Sequence, residues 1–412
     1  MAASSRPADV LFEIHERQRA DGSAAILAIG TAYPTNCIQQ DEFTDWYFRV
    51  TKSEHLTKLK SKMKKICDNS GIQKRHFHHT EEMIGVHPEI IDRGAPSLGA
   101  RQAISAVAAH NLAADAASRA ISAWGRPAAD ITHLVVSTNA GAQEPGADIR
   151  LAELLGLRPA VRRTLLYLHG CSAGLAALRV AKDIAESNRG ARVLAACTQA
   201  HLLLFSPPDD DAHIDILVTM AIFGDGAGAV IVGADDTDAD PAGTVVERPV
   251  FHMVSVSQTT LPGTEQAVVI NLTESGLADS RLSVEVPALV RGSVERCLTD
   301  TLAPLGLPNV GDGGWNGLFW ALHPGGRAIL DSYEGALGLE AGKLAASRQV
   351  LSEYGNMSGA TVIFVLDEIR RRRQDESGKQ EGKDCHWGVM SALGPGLTIE
   401  TIVLHANGCH EN

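Results

Sequence analysis

The sequence predicts an α/β protein built from two similar units, and three features of its 412 residues support this prediction. Short β-branched runs alternate with amphipathic helical segments along the chain. Each half carries a comparable glycine-rich strand, GDGAGAVIVGAD at 224–235 and ALGPGLTIETIVLHA at 392–406. The length also fits two cores, because domains usually hold roughly 100–200 residues. We therefore expect a duplicated α/β unit.

Four helices and several buried strands follow from hydrophobic periodicity. Helices are predicted over 54–67, 99–124, 283–305 and 361–373. The segment 164–190 passes from a strand through a turn near Gly170 into a further helix. The polar stretch DDTDADPAG at 235–243 is typical of a seam. It predicts an N-terminal unit of residues 1–240 and a C-terminal unit of residues 241–412.

Composition excludes several classes of protein. The chain has 44% hydrophobic and 21% charged residues, which is ordinary for a globular protein. Its 37 Lys and Arg against 49 Asp and Glu give a net charge of −12, which argues against nucleic acid as a partner. No apolar stretch reaches the roughly 18 residues of a membrane span. Seven cysteines without a CxxC pair favour a reducing compartment, so we expect a cytoplasmic protein.

Three polar residues, far apart in sequence, are typical of thioester chemistry. Cys171 opens a helix, where backbone N–H groups stabilise a thiolate, although a small buried residue would also fit there. His323 ends an apolar strand, where a core histidine is the alternative. Asn356 precedes the 361–373 helix and could simply cap it. Together they supply a thiolate nucleophile, an imidazole that pairs with the thiolate and donates to the oxyanion, and an amide that completes the oxyanion hole.

Several motifs around these residues resemble those of the plant type III polyketide synthases, the chalcone synthase superfamily. They are HGCSAG, IFGDGAGAVIVGAD, FWALHPGGRAILD, SEYGNMSGATVIFVLDE and the closing GPG loop, and they are collinear from about residue 18 to 406. Segments such as LHGC and GKLAASRQVLSEYGNMSGATVIFVLDE are most similar to grass alkylresorcinol synthases and curcuminoid synthases.

The resemblance implies a thiolase fold with five layers, α-β-α-β-α, in two related halves that assemble as a homodimer. It implies that Cys171 accepts an acyl group, while His323 and Asn356 hold the thioester carbonyl. Malonyl-CoA and a starter acyl-CoA would be the substrates, with no metal or other cofactor. Phe223 would be the gatekeeper between the CoA tunnel and the acyl cavity. CoA would be bound by Lys62, Lys65, Gly325 and Ala328, although arginine is usual at position 65.

Departures from the family pattern cluster around the expected acyl cavity. Leu393 replaces the usual phenylalanine of the GFGPG loop, and Ser172 follows the nucleophile where an aromatic residue is common. Leu204 and Ile270 are bulkier than the Thr and Gly of chalcone synthases, which makes chalcone formation a poor prediction. The remaining positions that would shape the cavity or its edge are Asn139, Glu144, Gln199, His201, Asp279 and Ser358.

Three other motifs are set aside. GDGAGA at 224–229 imitates a dinucleotide-binding loop, but AVIVG follows it where a helix is required. Residues 236–247 imitate a calcium loop, but Pro241 stands where a glycine is needed. PPDDDAHID at 207–215 brings Asp and His together without a second cluster, which favours a solvated loop.

The resemblance leaves the product open. The first expectation is a fatty acyl starter closed to an alkylresorcinol, and the alternative is a hydroxycinnamoyl-CoA starter with few extensions, as in curcuminoid synthases. A third reading is a catalytically impaired paralogue that binds CoA esters, because the departures at Ser172, Glu144 and Leu393 lie near the site. A β-ketoacyl carrier-protein synthase of the same fold fits the GNMSG and HPGGRAILD motifs less well.

Overall fold

The computed structural model describes residues 16–208, 214–234, 247–307, 313–375 and 385–406. The side chains of residues 278 and 279 also lie outside this description. In the N-terminal half the strands are β1 Ala25–Ala32, β2 Cys37–Gln39, β3 Lys74–His76, β4 His133–Thr138, β5 Arg162–Tyr167, β6 Arg192–Gln199 and β7 Gly226–Gly233. The helices there are α1 Gln40–Val50, α2 Thr57–Asn69, α3 Glu81–Val86, α4 Leu98–Trp124, α5 Ala147–Leu154, α6 Ala173–Ser187 and α7 Ile214–Ile222.

The C-terminal half continues with the same kinds of element. Its strands are β8 Phe251–Thr260, β9 Val268–Thr273, β10 Gly276–Leu282, β11 Phe319–Leu322, β12 Trp387–Gly394 and β13 Thr398–His405. Its helices are α8 Val286–Leu302, α9 Arg327–Leu337, α10 Ala345–Tyr354 and α11 Thr361–Gln374. The predicted helices agree with α2, α4, α8 and α11 to within three residues at each end.

The strand order shows the duplication directly. Nine strands are joined in the order β11-β12-β13-β8-β1-β7-β6-β4-β5. In the first set, β1 pairs antiparallel with β7, β7 pairs antiparallel with β6, and β6 pairs parallel with β4. The second set repeats this pattern: β8 pairs antiparallel with β13, β13 pairs antiparallel with β12, and β12 pairs parallel with β11. Only two residue pairs, between β1 and β8, connect the two sets.

The helices form three layers around these two sets of strands. Helix α4 covers the outer face of β1, β7 and β6, while α8 packs with α9 and on β8 and β13 at the other outside face. Helices α6 and α11 contact strands of both halves, so they form the central layer. Both are buried at most of their positions, which suits the small alanines of α6 and the apolar first half of α11. This is the five-layer thiolase architecture that the resemblance implied.

The motifs set aside above fall in different places. GDGAGA runs into strand β7 and not into a helix, as the AVIVG that follows it predicted. The predicted seam and the imitation of a calcium loop lie almost wholly in 235–246, outside the described residues, and PPDDDAHID is described only at its ends. The unit boundary at residue 240 therefore stays a prediction. Within the described ranges, every helix is too short or too polar to cross a bilayer.

The two central helices touch at a pair of glycines near their N-terminal ends. A Cβ atom on Gly174 would lie 2.2 Å from the carbonyl oxygen of Gly359, and one on Gly359 would lie 2.6 Å from Cβ of Ala173. Real Cβ contacts are never so short, and the obstacle at Gly174 is backbone that has no rotamer to change. Glycine at both positions is therefore a packing requirement, since it lets the two helices approach to backbone contact.

Replacing Gly174 with alanine should destabilise the protein. The methyl group would push the start of α11 away from α6, which we expect to cost roughly 1–3 kcal/mol, as overpacking usually does. Gly292 is the matched control, because it lies inside α8 with no neighbour within 4 Å of an added Cβ. Gly292→Ala should raise the thermal midpoint slightly through helix propensity. Equal midpoints for Gly174→Ala and the unmodified protein would contradict the packing argument.

Candidate active site

Cys171 lies on a tight turn between β5 and α6. Leu168 and Gly170 adopt left-handed backbone conformations, with φ of 59° and 56°, and a short 3₁₀ turn at Gly170–Ser172 leads into the helix. A side chain on Gly170 would collide with Pro395, so glycine is needed there. The turn leaves the Cys171 thiol partly buried just before the N-terminus of α6. A helix N-terminus favours negative charge, and hence a thiolate.

Two opposing effects act on this thiol. Burial raises the pKa of Cys171 above its ordinary value, while hydrogen bonds from the side chains of Asn356 and Ser358 act in the opposite direction. The donor atoms lie 3.8 Å (Asn356 Nδ2) and 3.9 Å (Ser358 Oγ) from Cys171 Sγ. Both contacts are long even for sulfur, so they orient the thiol more than they ionise it. A proton acceptor is still needed for nucleophilic attack.

His323 can supply that acceptor. It follows β11 directly, its backbone N–H donates to the carbonyl of Ser391, and its side chain is only 1% exposed. Burial lowers the pKa of His323 to about 3, so the imidazole is neutral at pH 7. Neither ring nitrogen has a hydrogen-bond partner among the described residues. A buried imidazole without a partner is costly, and this observation favours a functional role over the core-histidine reading.

Asn356 is held in one orientation by its own loop. Its Oδ1 accepts a hydrogen bond from the backbone N–H of Ser358 at 2.7 Å. Its Nδ2 donates one hydrogen to the carbonyl of Gly325 at 3.1 Å, and the other hydrogen of this amide nitrogen is directed toward Cys171 Sγ. The helix-cap reading is not supported, because no side chain caps α11. The amide is therefore fixed as a donor beside the thiol.

A short backbone bridge ties Asn356 to Phe223. Asn356 N–H donates to the carbonyl of Ile222 at 2.9 Å, and Gly224 N–H donates to the carbonyl of Asn356 at 3.0 Å. Behind the bridge, the fully buried guanidinium of Arg75 donates to the carbonyl of Phe223 at 2.6 Å. Burial lowers the pKa of Arg75 to about 9, and the arginine remains charged at neutral pH. The gatekeeper candidate and Asn356 are thus fixed relative to each other.

One cavity of about 550 Å³ connects these residues. Cys171, His323 and Asn356 all line it, so the fold brings together three residues that the sequence separates by up to 185 positions. Of the other predicted site residues, those that also line it are Asn139, His201, Leu204, Phe223, Ile270, Gly325, Ala328, Ser358 and Leu393. The rest of the wall is mostly aliphatic, which suits an acyl chain.

Four predicted residues lie elsewhere. Glu144 is exposed in the loop before α5 and does not line the cavity, in keeping with the cost of burying an unpaired carboxylate. Gln199 is buried behind the wall, where its Oε1 accepts a hydrogen bond from the backbone N–H of Asn139. Lys62 and Lys65 are exposed on α2, outside the lining. Glu144 and Gln199 are not part of the described lining, so a role for them at the cavity or its edge stays a prediction.

Other predicted residues fall in informative places. Asp279 belongs to β10, but its side chain lies outside the described part of the chain, so its role stays a prediction. Ser172 donates to the carbonyl of His169 at 2.9 Å and lies directly against Gly394 of the GPG loop. The departures at Ser172 and Leu393 therefore meet in one contact between the nucleophile turn and this loop.

Sequence reasoning missed the residues that support the site. Asp225, in the GDGAGA motif, accepts hydrogen bonds from the backbone N–H groups of His78 and His201 at 2.7 and 2.6 Å. Burial raises the pKa of Asp225, but hydrogen bonds from His201 and charge interactions with His201 and His79 together outweigh burial, and the net shift is downward. The His201 ring lies 3.3 Å from this carboxylate and stacks on Phe223 with centroids 5.0 Å apart. Asp225 lies within the IFGDGAGAVIVGAD motif, but the pattern of that motif does not indicate what the carboxylate contacts.

A duplicated five-layer fold with a cysteine, a histidine and an asparagine at one aliphatic cavity defines a thiolase-fold acyltransferase. The comparisons agree with this class. Residues 11–236 match the N-terminal domain of the chalcone and stilbene synthases, and residues 252–407 match their C-terminal domain. The chain belongs to this family and is a type III polyketide synthase that uses malonyl-CoA. It is 57% identical over 396 residues to bisdemethoxycurcumin synthase of Oryza sativa subsp. japonica, covering 96% of each chain.

The neutral imidazole of His323 should control how fast Cys171 reacts. With His323→Gln we expect alkylation of Cys171 by iodoacetamide at pH 7 to slow by at least about tenfold, because the thiol loses its proton acceptor. Mass spectrometry of the peptide that contains Cys171 separates this cysteine from the others. Ser358→Ala is the matched control, since it removes one long hydrogen bond to the same sulfur. An unchanged rate in His323→Gln would show that the imidazole does not take this proton.

Proposed function

We propose that this polyketide synthase loads a starter acyl group onto Cys171 and extends it by decarboxylative condensation, with His323 and Asn356 as the other catalytic residues. The observation that supports these roles is that all three side chains line one largely aliphatic cavity. CoA thioesters are the substrates, and the proposed chemistry requires no metal or further cofactor. Among the described residues, no three potential metal ligands converge on a common point.

Loading begins when Cys171 Sγ attacks the carbonyl carbon of the starter thioester. The thiol proton passes to His323, and the C–S bond to CoA then breaks. CoA leaves as the thiolate and takes the proton back from the imidazolium, which restores neutral His323. During this step the negative charge grows on the carbonyl oxygen, and Asn356 Nδ2 is the donor fixed beside it.

Extension uses the same polar groups. Malonyl-CoA loses CO₂, and the electrons of the broken C–C bond form the enolate of acetyl-CoA. The enolate oxygen is stabilised by hydrogen bonds from Asn356 Nδ2 and from His323, which must then donate a proton that it holds in its neutral form. The enolate carbon attacks the acyl-cysteine carbonyl, and the C–S bond to Cys171 breaks. A β-ketoacyl-CoA is formed, and Cys171 leaves as a thiolate that takes a proton from water. Fixed donors in a water-poor site contribute strongly to such steps.

For the starter we propose a hydroxycinnamoyl-CoA, the second of the two alternatives, in place of a fatty acyl-CoA. The similarity to a bisdemethoxycurcumin synthase supports this choice. The cavity wall supports it independently, because apart from His323 two described residues of the wall carry buried polar atoms without a partner, Asn139 Oδ1 and His201 Nε2. An alkyl chain would leave both atoms unpaired, whereas a phenol can donate a hydrogen bond.

The orientation of His201 follows from its neighbours. Its Nδ1 lies 3.3 Å from Asp225 Oδ1, and its ring stacks on Phe223 with centroids 5.0 Å apart. Nε2 has no hydrogen-bond partner among the described residues and can pair with a ligand hydroxyl. Leu204 and Ile270 fill space in the same wall. We infer that they favour a flat aromatic starter and leave little room for a branched product.

A panel of starters tests this assignment. With malonyl-CoA, 4-coumaroyl-CoA should be used with a kcat/KM at least about tenfold above that of cinnamoyl-CoA, because a site that pairs a hydroxyl discriminates against its absence. His201→Phe should abolish this preference by lowering turnover of 4-coumaroyl-CoA alone. Products are identified by mass. Alkylresorcinols from long-chain acyl-CoA as the main products would overturn the hydroxycinnamoyl proposal, and no product from any starter would favour the impaired paralogue.

We also propose that the chain is a homodimer through the surface beside β5. Strand β5 is an edge of the described sheet, and large apolar side chains near it are unusually exposed, including Ile149 (41%), Leu154 (40%) and Leu168 (52%). Such patches commonly mark interfaces. Light scattering should give twice the mass of one chain, and Leu168→Asp should shift the protein toward the monomer. A monomeric unmodified protein would contradict this proposal.

A further inference from the structure

Only one Lys or Arg side chain lines the cavity within the described residues. It is Arg327, which the sequence analysis did not select, whereas Lys62 and Lys65 lie outside the lining. The only acidic residue of the described lining is Asp215. A CoA thioester carries several phosphate charges, while the chain has a net charge of −12. A positively charged side chain at the cavity is therefore the group that would attract the phosphates of this substrate.

Arg327 stands at the entrance to the cavity. It is the first residue of α9 and follows Gly325 and Gly326, which also line the cavity. Its Cβ and Cδ atoms lie 3.8 Å from the point where a Cβ atom on Gly71 would stand. Asn69 and Ser70, just before this glycine, belong to the same lining. The entrance thus runs between the end of α2 and the start of α9, with the arginine side chain 56% exposed there.

The guanidinium of Arg327 is only weakly held by protein partners. Its Nε lies 3.7 Å from Asp331 Oδ2, and both side chains are about half exposed. Exposed pairs of this kind contribute about 0–1 kcal/mol. Asp331 already has a closer partner, because Arg348 Nη2 lies 2.6 Å from its Oδ1 and also 2.6 Å from Glu334 Oε2. Arg327 can therefore turn to another anion without leaving Asp331 unpaired.

We propose that Arg327 binds a phosphate group of the CoA thioester at the cavity entrance. The proposal rests on the use of CoA thioesters by this family, and it names a residue that binds the phosphate-bearing end of these substrates. The backbone supports the same placement, because no side chain caps the N-terminus of α9 and an anion is stabilised there. The arginine fork can donate two hydrogen bonds to phosphate oxygens.

Binding measurements test the proposal without requiring turnover. By isothermal titration, Arg327→Gln should raise the Kd of CoA about tenfold and leave the Kd of pantetheine, which lacks the phosphates, unchanged. A higher salt concentration should reduce the difference in the Kd of CoA between Arg327→Gln and the unmodified protein, since exposed charges are screened. In activity assays the KM for malonyl-CoA should rise while kcat stays the same. An N-acetylcysteamine thioester of malonate should be used equally well by both proteins.

Arg291→Gln is the matched control, because it removes an exposed cation that packs against α9 at Gly335, outside the cavity lining and apart from the Asp331 cluster. Its Kd for CoA should equal that of the unmodified protein. The proposal is overturned if Arg327→Gln binds CoA normally, or if CoA and pantetheine lose affinity equally. A protein that binds CoA through Arg327 but forms no product would leave this inference standing and reject the proposed condensation instead.

Discussion

The site depends on the contact between two glycines in the central layer. Gly174 begins α6 just after Cys171, and Gly359 stands just after Asn356 and before α11. Because neither residue has a side chain, the two helices pack in backbone contact. A Cβ atom on Gly174 would lie only 2.2 Å from the carbonyl oxygen of Gly359. The nucleophile and the amide donor come from different halves of the chain, and this contact is what places one beside the other.

A second constraint fixes the wall that faces the thiol. Gly355 has a φ of 67°, and a Cβ there would lie 2.7 Å from Arg75 Cδ and from the carbonyl oxygen of Ile222. The methylene groups of Arg75 occupy that space, while its buried guanidinium donates to the carbonyls of Met220 and Phe223 and lies on the ring of Phe43. The charged group is stabilised in this interior because its Nε and Nη1 donors are paired with carbonyl and amide oxygens. The cost of burying it is offset by a rigid link between α7 and the Asn356 loop.

The sequence was informative where local pattern and chemistry coincide. Periodicity predicted α4 and α11 closely, and the residues that carry the thioester chemistry were visible as Cys171, His323 and Asn356. Pattern could not show which side chains face the cavity, because this depends on contacts between distant segments. Gln199 and Asn139 illustrate the problem: they meet by one hydrogen bond, yet only the asparagine reaches the cavity. Arg75 and Arg327 were missed for the same reason, since nothing local separates them from ordinary arginines.

The distribution of charge follows from the two tasks of the cavity. At its centre, burial raises the pKa of Cys171 and lowers that of His323, so both the thiol and the imidazole that line the cavity are neutral at pH 7. Permanent charge at that depth would have to be desolvated in every resting molecule. At the entrance the opposite arrangement is stable, because Arg327 is hydrated and only loosely paired. A polyanionic carrier can therefore be held by charge outside while its acyl end enters a neutral, largely apolar interior.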